Sequence, residues 1–429
     1  MTKKIEIEQK EIEAPYELPE GWKWVRLGDC AKSISKGTTP KGGKDAYVEK
    51  GINYLRIENL MDNGFIDLTN IAYITKEQHE GFLKRSILEA GDLLISIAGT
   101  LGRVGFVQET DLPMNTNQAI AFVRLHKHLF DNMYLKYAIE SPFVNSELIA
   151  KTKVTSIPNL TLEIVSNCLI PLPPTLAEQQ RIVNRIEIMF AKLDEAKEKA
   201  RNAADSFETR KATILHQAFT GSLTAKWRKE NGISDESWEE KTIGELFSHT
   251  TGKALKKDNQ NGTPHKYITT SNLYWGEFDF SEVRTMYFSD DELEKCTAKK
   301  GDLLLCNGGD VGRAAIWNFD YEICLQNHVS KLRKKTGNIE IRLFYYYFML
   351  SKIKGNISGK GIGISSLSAK DLLAMKINLP TLPEQQEIVR ILDTVLEKER
   401  AAKSAAEQVL EQIALLKKSI LARAFRGEL

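Results

Sequence analysis

The side chains whose types and spacing can do chemistry in this sequence are cations and amides set among small polar residues. Lys36-Gly37-Thr38-Thr39-Pro40-Lys41-Gly42-Gly43-Lys44 is basic and glycine-rich. Thr250-Thr251-Gly252-Lys253-Ala254-Leu255-Lys256-Lys257 has a similar character and also follows a strand-like stretch. Either segment can lie along a phosphate backbone, where ammonium groups supply affinity; a solvated lysine loop is the alternative. Arg103 and Arg313 each follow a glycine in a turn, from which a guanidinium can reach a phosphate or guanine O6/N7. Because that turn occurs twice, a structural or phosphate role is favoured over base reading. Asn117-Gln118 and Gln326-Asn327-His328 carry amides that can pair with adenine N6/N7, or can tie two strands together inside the fold. Tyr267, Tyr274 and Trp275 can support a flipped base, although aromatic burial favours a core role.

Catalytic patterns are missing. The sequence has no GxxxxGK[ST] phosphate loop, no HExxH and no GxSxG. Gly359-Lys360-Gly361-Ile362-Gly363 does not join a strand to a helix within a βαβ unit, so it reads as a flexible loop. His126 and His128 have no companion Cys/His pair and read as surface residues. Cys30, Cys168, Cys296, Cys306 and Cys324 form no CxxC pair, which points to buried or incidental thiols rather than a disulfide framework or a zinc knuckle. A formal net charge of +2 argues against coating nucleic acid through bulk charge. The 429 residues imply two to four units. No apolar run approaches the ~18–20 residues of a membrane span, and the charged, broken start lacks a secretory signal, so a soluble, cytoplasmic chain is expected.

The elements that must position these residues come in duplicate. Gly91-Asp92-Leu93-Leu94, Gly99 and Gly102-Arg103 return 210 residues later as Gly301-Asp302-Leu303-Leu304, Gly309 and Gly312-Arg313, and Asn117 falls on Asn327 at the same offset. Leu172-Pro173-Pro174-Thr175-Leu176-Ala177-Glu178-Gln179-Gln180 returns as Leu379-Pro380-Thr381-Leu382-Pro383-Glu384-Gln385-Gln386, now 206 residues on. Ala218-Phe219, Gly221 and Leu223 correspond to Ala424-Phe425, Gly427 and Leu429. Two copies of about 200 residues are too few and too long for a solenoid. Duplication with approximate twofold symmetry is the simpler reading.

Segments 178–220 and 384–425 lack Pro and Gly and carry apolar residues at alternating steps of four and three: Ile182, Ile186, Met189, Leu193, Ala196, Ala200, Ala203, Phe207 and Ile214, interrupted only by Arg210, then Ile388, Leu392, Val395, Ala402, Ala406, Val409, Ile413, Leu416 and Ile420, broken only at Glu399. Such a heptad seam predicts two helices, each roughly 60–65 Å long, paired as a coiled coil. The alternative is a helix lying on each globular domain. The preceding regions hold short β-branched stretches bounded by Gly, Asn and Asp, plus helices near 131–140 and 341–351. The expected fold is therefore α+β, with small irregular sheets.

The repeated Leu-Pro-x-x-Leu-x-Glu-Gln-Gln-x-Ile-Val helix start, the Ala-Phe-x-Gly-x-Leu exit, the opening Leu18-Pro19-Glu20-Gly21-Trp22-Lys23-Trp24 and the run Leu223-Thr224-Ala225-Lys226-Trp227-Arg228 resemble the specificity subunits of type I restriction–modification enzymes. The resemblance spans essentially the whole chain. It implies an N-terminal tail (1–14), a first target recognition domain with a small mixed sheet (15–172), a central spacer helix (173–228), a second recognition domain (229–380) and a C-terminal spacer helix (381–429). The two domains would be related by a pseudo-twofold and separated by two long antiparallel helices forming a coiled coil. It further implies a non-catalytic chain that binds double-stranded DNA with a bipartite asymmetric target and docks two methyltransferase subunits. Those partners would bring S-adenosylmethionine and methylate adenine N6; restriction/translocase subunits would add ATP- and Mg-dependent translocation and cleavage. No cofactor, metal or membrane is expected for this chain itself, and it has no DPPY/NPPF-type motif. Domains about one helical turn apart on a duplex, ~34–36 Å, would leave an unread gap between half-sites. Insertions at 221–228 would then lengthen that gap. Two rival readings are a stand-alone adenine-N6 methyltransferase, which would bind S-adenosylmethionine unaided, and a coiled-coil protein-binding adaptor, which would show no sequence-dependent DNA shift.

Overall fold

The computed structural model describes residues 12–126, 129–150, 159–255, 261–357 and 367–429. Most of the expected tail, His128, Lys256, Lys257 and the 359–363 loop lie outside the described residues. Contacts group the chain into two units, Met1–Ala200 with Gln408–Leu429, and Arg201–Glu407. Each unit thus takes one part of each long helical segment.

The first unit is built on an antiparallel sheet ordered Ala31–Lys36, Ile120–Leu125, Leu93–Ser96, Val104–Phe106. A second sheet holds Ile52–Leu55 between Ala72–Ile74 (antiparallel) and Met114–Thr116 (parallel). The second unit repeats the plan. Phe247–Thr251, Val329–Lys334, Leu303–Cys306 and Ala314–Ile316 form the antiparallel sheet, and Thr263–Ile268 pairs parallel with Ile323–Leu325 in the other. The strand copies explain the core. Leu93 and Ile95 face one apolar cluster and Leu94 another; Leu303 and Leu305 likewise face one, Leu304 and Cys306 the other. Period-two alternation in a strand with apolar groups on both faces makes each central strand the wall between two cores. The helices expected near 131–140 and 341–351 are Asn132–Glu140 and Ile341–Ile353.

The first long helical segment is not continuous. Leu176–Asp205 and Phe207–Phe219 are separated at Ser206, whose hydroxyl donates to the Asn202 carbonyl at 2.6 Å. Back-bonding of this kind competes with the backbone ladder and bends helices. The other segment, Leu382–Ala424, is unbroken. Within each unit the two segments run antiparallel: Lys417 pairs with Asp194 at 2.6 Å in the first unit, and Arg210 with Glu399 at 2.7 Å in the second.

The seam departs from the apolar pattern by one residue at several positions. Ala196, Ala203, Ala402, Val409 and Leu416 are exposed, while their neighbours Lys197, Ala204, Lys403, Leu410 and Lys417 are half-buried. Lysines take the inward positions because their methylene stems pack while the ammonium finds a partner. Lys403 sits 5.1 Å from the Phe207 ring and Lys417 4.8 Å from the Phe190 ring. At the segment ends the helices join the globular cores: Ile182, Val183, Ile186, Leu421, Ala424 and Phe425 in the first unit, and Leu215, Ala218, Ile388, Val389, Leu392 and Leu396 in the second.

Candidate nucleic-acid interfaces

In the first unit, strand Ala31–Lys36 runs straight into the basic loop. Gly37 donates its N–H to the Ile120 carbonyl, and Thr38 to that of Thr116, at 3.0 Å each. A Cβ on residue 37 would lie 2.0 Å from the Asn117 carbonyl oxygen, so only glycine permits this approach. The loop start, Asn117 and Gln118 are thereby brought to one end of the sheet. Lys36, Lys41, Lys44 and Gln118 are exposed. Thr38 is buried, and its hydroxyl accepts from Arg85 Nε at 2.9 Å; Thr39 is half-buried. Asn117 uses its amide oxygen on the Ala119 N–H at 3.1 Å, which is a turn-forming role.

The second unit has the same joint with different chemistry. Gly252 donates to Val329 O and Lys253 to Leu325 O, and a Cβ at 252 would again meet a carbonyl at 2.0 Å. Lys253 therefore stands where Thr38 stands. Its Nζ donates to Tyr287 O at 2.7 Å and to Glu292 at 2.6 Å, over the Phe288 ring. That hydrogen bond holds the Glu292 carboxyl below the usual carboxylate range. Lys253 is thus an internal strut, not the phosphate ligand expected from sequence, because burial makes its charge turn to a partner within the fold. Gln326, not Asn327, is the counterpart of Asn117: its N–H meets Ile268 O as that of Asn117 meets Leu55 O, and its side chain accepts from the His328 N–H. Asn327 is half-buried beside it and accepts from the Gln326 side-chain amide, while His328 is exposed.

Arg103 and Arg313 each bond a backbone carbonyl within their own unit. Arg103 donates to Leu60 O at 3.1 Å, and Arg313 donates to Thr270 O while lying 4.9 Å from the Tyr274 ring. Tyr267 is buried in the core, Tyr274 is exposed, and Trp275 packs edge-on to Tyr345. The Gly-Asp-Leu-Leu repeat owes its aspartate to a bidentate pair. Arg124 grips buried Asp92 at 2.8 and 2.9 Å, and Arg333 grips Asp302 at 2.7 Å twice. The five cysteines are free and buried. Burial pushes the Cys30 thiol up to about 12 and that of Cys306 to about 11, which disfavours the reactive thiolate.

The repeated Glu-Gln-Gln run positions the domains. Gln179 accepts from the Asp131 N–H at 2.8 Å and donates to Leu129 O at 3.1 Å, fixing the start of helix Asn132–Glu140. Gln385 accepts from the Glu340 N–H at 2.8 Å and does the same for helix Ile341–Ile353. Both side chains are buried. Gln179→Ala and Gln385→Ala should each cost about 1–3 kcal/mol in denaturant unfolding, since each orphans a buried backbone donor. A loss within error of zero at both positions would contradict the clamp.

Sequence reasoning missed residues 81–86 in the first unit, where Phe82 is 53% exposed and Lys41 Nζ lies 5.2 Å from its ring. Lys84 and Arg85 follow directly. The signal was an aromatic flanked by cations, hidden because it lies between named strands. In the second unit an open cleft of about 1220 Å³ is lined by His265, Lys266, Phe280, Lys299, Tyr321 and Arg333. Its cations are partly neutralised: Lys299 pairs with Glu322 at 3.1 Å, and Arg333 with Asp302. Among the described residues no His/Cys/Asp/Glu group is arranged to hold a metal, and no helix is long and apolar enough to cross a membrane.

Two α+β units, each with a four-stranded sheet that ends at the same glycine joint beside an amide side chain, define a class of duplicated chains. The family model described as the type I restriction modification DNA specificity domain matches residues 19–203 and again 235–412, and the chain belongs to that family. It is similar to the type I restriction enzyme EcoKI specificity subunit of Escherichia coli (strain K12), 25% identical over 96% of this chain and 90% of that protein. It is 31% identical to the EcoBI specificity subunit of Escherichia coli over 54% of this chain, a stretch that spans 47% of that relative. The crystal structure of an HsdS subunit from Thermoanaerobacter tengcongensis shares the fold, with a TM-score of 0.66 and 23% identity over 97% of this chain and all of that one.

Proposed function

We propose that this specificity subunit reads a bipartite, asymmetric DNA sequence, one half-site through each unit. The helical segments set the separation of the half-sites and dock two methyltransferase subunits. The observation that carries the reading is the pair of equivalent joints at Gly37 and Gly252: one backbone frame presents two different sets of side chains. A shared frame gives both units one way to approach a duplex, and unlike side chains give them different bases to read. Ile188, Leu415 and Leu416, exposed on the helices of the first unit, offer apolar area to a partner. Chemistry belongs to the partners in this reading: the methyltransferases bring S-adenosylmethionine to adenine N6, and restriction subunits bring ATP and Mg. The chain itself is non-catalytic and acts in the cytoplasm, where its DNA is.

Mapping methylated adenines in host DNA with and without this chain tests the proposal. One split motif, with two unlike halves and a fixed gap, should vanish when the chain is absent. Methylation that persists unchanged would overturn it.

A further inference from the structure

The two units share their frame residue for residue around the joint, so a place where one carries extra chain is where their readings can differ. Helix Lys76–Glu80 of the first unit and helix Asp290–Cys296 of the second begin in the same way, with a capping box on Thr75 and Gln78 and on Ser289 and Glu292. Both lead to the same landmark, a bridge from Ile87 to Asn115 and a pair from Thr297 to Cys324, each five residues before the gripped aspartate. The landmark comes twelve residues after the cap in the first unit and eight after it in the second. The first unit is therefore longer by four residues (12 − 8), and the added length falls within 81–86, between the helix end and the landmark.

This insertion is held rigidly by its own buried anchor. Leu83 is fully buried against Tyr54 and Ile74. Its carbonyl accepts from Asn115 Nδ2 and from the Ser86 hydroxyl, at 2.9 Å each. His79 hydrogen-bonds the Asn115 side-chain oxygen, and Arg85 Nε donates to the Thr38 hydroxyl at 2.9 Å. The insertion is thus fastened to the strand Met114–Thr116 on one side and to the basic loop on the other. Leu83 turns inward; Phe82 beside it stays outward, with the Lys41 ammonium over its ring and Lys84 next along the chain. An exposed aromatic on a fixed loop, with one lysine over its ring and another two residues along the chain, suits a polyanion that also presents apolar groups. A DNA groove has phosphates at its rim and thymine methyls on its floor.

We propose that residues 81–86 are a specificity-determining insertion of the first unit. In it Phe82 contacts a thymine methyl in the major groove, and Lys41 and Lys84 contact the flanking phosphates. The proposal rests on the recognition function above and assigns part of the reading to Phe82 and Lys84, which lie in the lengthened segment, together with Lys41 of the basic loop.

The test uses the chain assembled with its methyltransferase subunits, binding the target duplex and duplexes with single base-pair changes in either half. Wild type must discriminate in both halves; equal binding to all duplexes would defeat the recognition function itself. Given that discrimination, Phe82→Ala should lose about tenfold or more of it at one A·T pair in the half read by the first unit, and none in the other half. Phe82→Leu, which keeps an apolar contact, should retain part of it. Lys84→Ala should weaken binding to every duplex alike and make the salt slope shallower by about 1. Unchanged discrimination by Phe82→Ala in both halves would overturn the insertion's role while leaving the recognition function standing. Phe82 projects into solvent, so thermal unfolding of the variants should match wild type.

Discussion

Glu384→Ala is expected to destabilise the second unit by about 3–5 kcal/mol, the range for breaking a buried ion pair from one side. The carboxylate is fully buried. One oxygen accepts from the Thr224 hydroxyl and from Arg228 Nη1, each at 2.6 Å, and the other accepts from the Trp238 indole N–H at 3.0 Å. Alanine removes the group on which three donors converge and leaves a guanidinium buried without that carboxylate. Urea unfolding followed by far-UV circular dichroism reads the loss. A double-mutant cycle with Arg228→Met should return a coupling energy above about 1.5 kcal/mol. Loss below 1 kcal/mol for Glu384→Ala would mean the pair contributes no more than a surface bridge. The same contact explains the Leu-Thr-x-x-Trp-Arg run: its Thr224 and Arg228 are the residues that fasten the end of one helical segment to the start of the other within this unit.

Trp317→Ala should cost a similar amount, about 3–5 kcal/mol, by the rule for large aromatic deletions from a core. Trp317 is fully buried and meets Phe319 at 4.6 Å, Phe278 at 5.0 Å and Tyr321 at 5.4 Å between ring centroids. Its indole N–H also donates to Tyr321 O at 2.7 Å. The equivalent position in the first unit is Val107, identified by the same backbone bonds: Gly91 donates to Val107 O as Gly301 donates to Trp317 O. Val107→Ala removes fewer atoms and should cost less, although both sites are buried. Equal losses at the two positions would show that the aromatic cluster collapses around the missing ring. Because Trp317 lies in the second unit, its loss should blur discrimination in one half-site and spare the other.

The contrast between Val107 and Trp317 shows how the duplicate works: hydrogen bonds of the frame recur, and the side chains that fill it do not. The frame was legible from sequence because its parts leave local marks. Gly-Asp-Leu-Leu marks a turn into a two-faced strand, and Glu-Gln-Gln marks the clamp on a domain helix. Periodicity then located the long helices to within a few residues. Counting only apolar residues misplaced the middle of the seam, since Lys403 and Lys417 bury their stems there and satisfy their charges on Phe207, Phe190 and Asp194. Fixed offsets failed in the same way. Asn117 aligned with Asn327 by counting, yet backbone bonding pairs it with Gln326.

Sequence by itself determined the duplication, the α+β class, the paired helical segments and the family, all of which rest on short-range patterns that survive in the linear order. Tertiary structure decided which cations remain available to a ligand. Lys253 and Lys41 sit in similar basic runs, but Glu292 approaches one from a helix far along the chain, and Phe82 approaches the other. Whether a charge faces solvent or a buried partner depends on contacts between residues distant in sequence, and no local spacing encodes them.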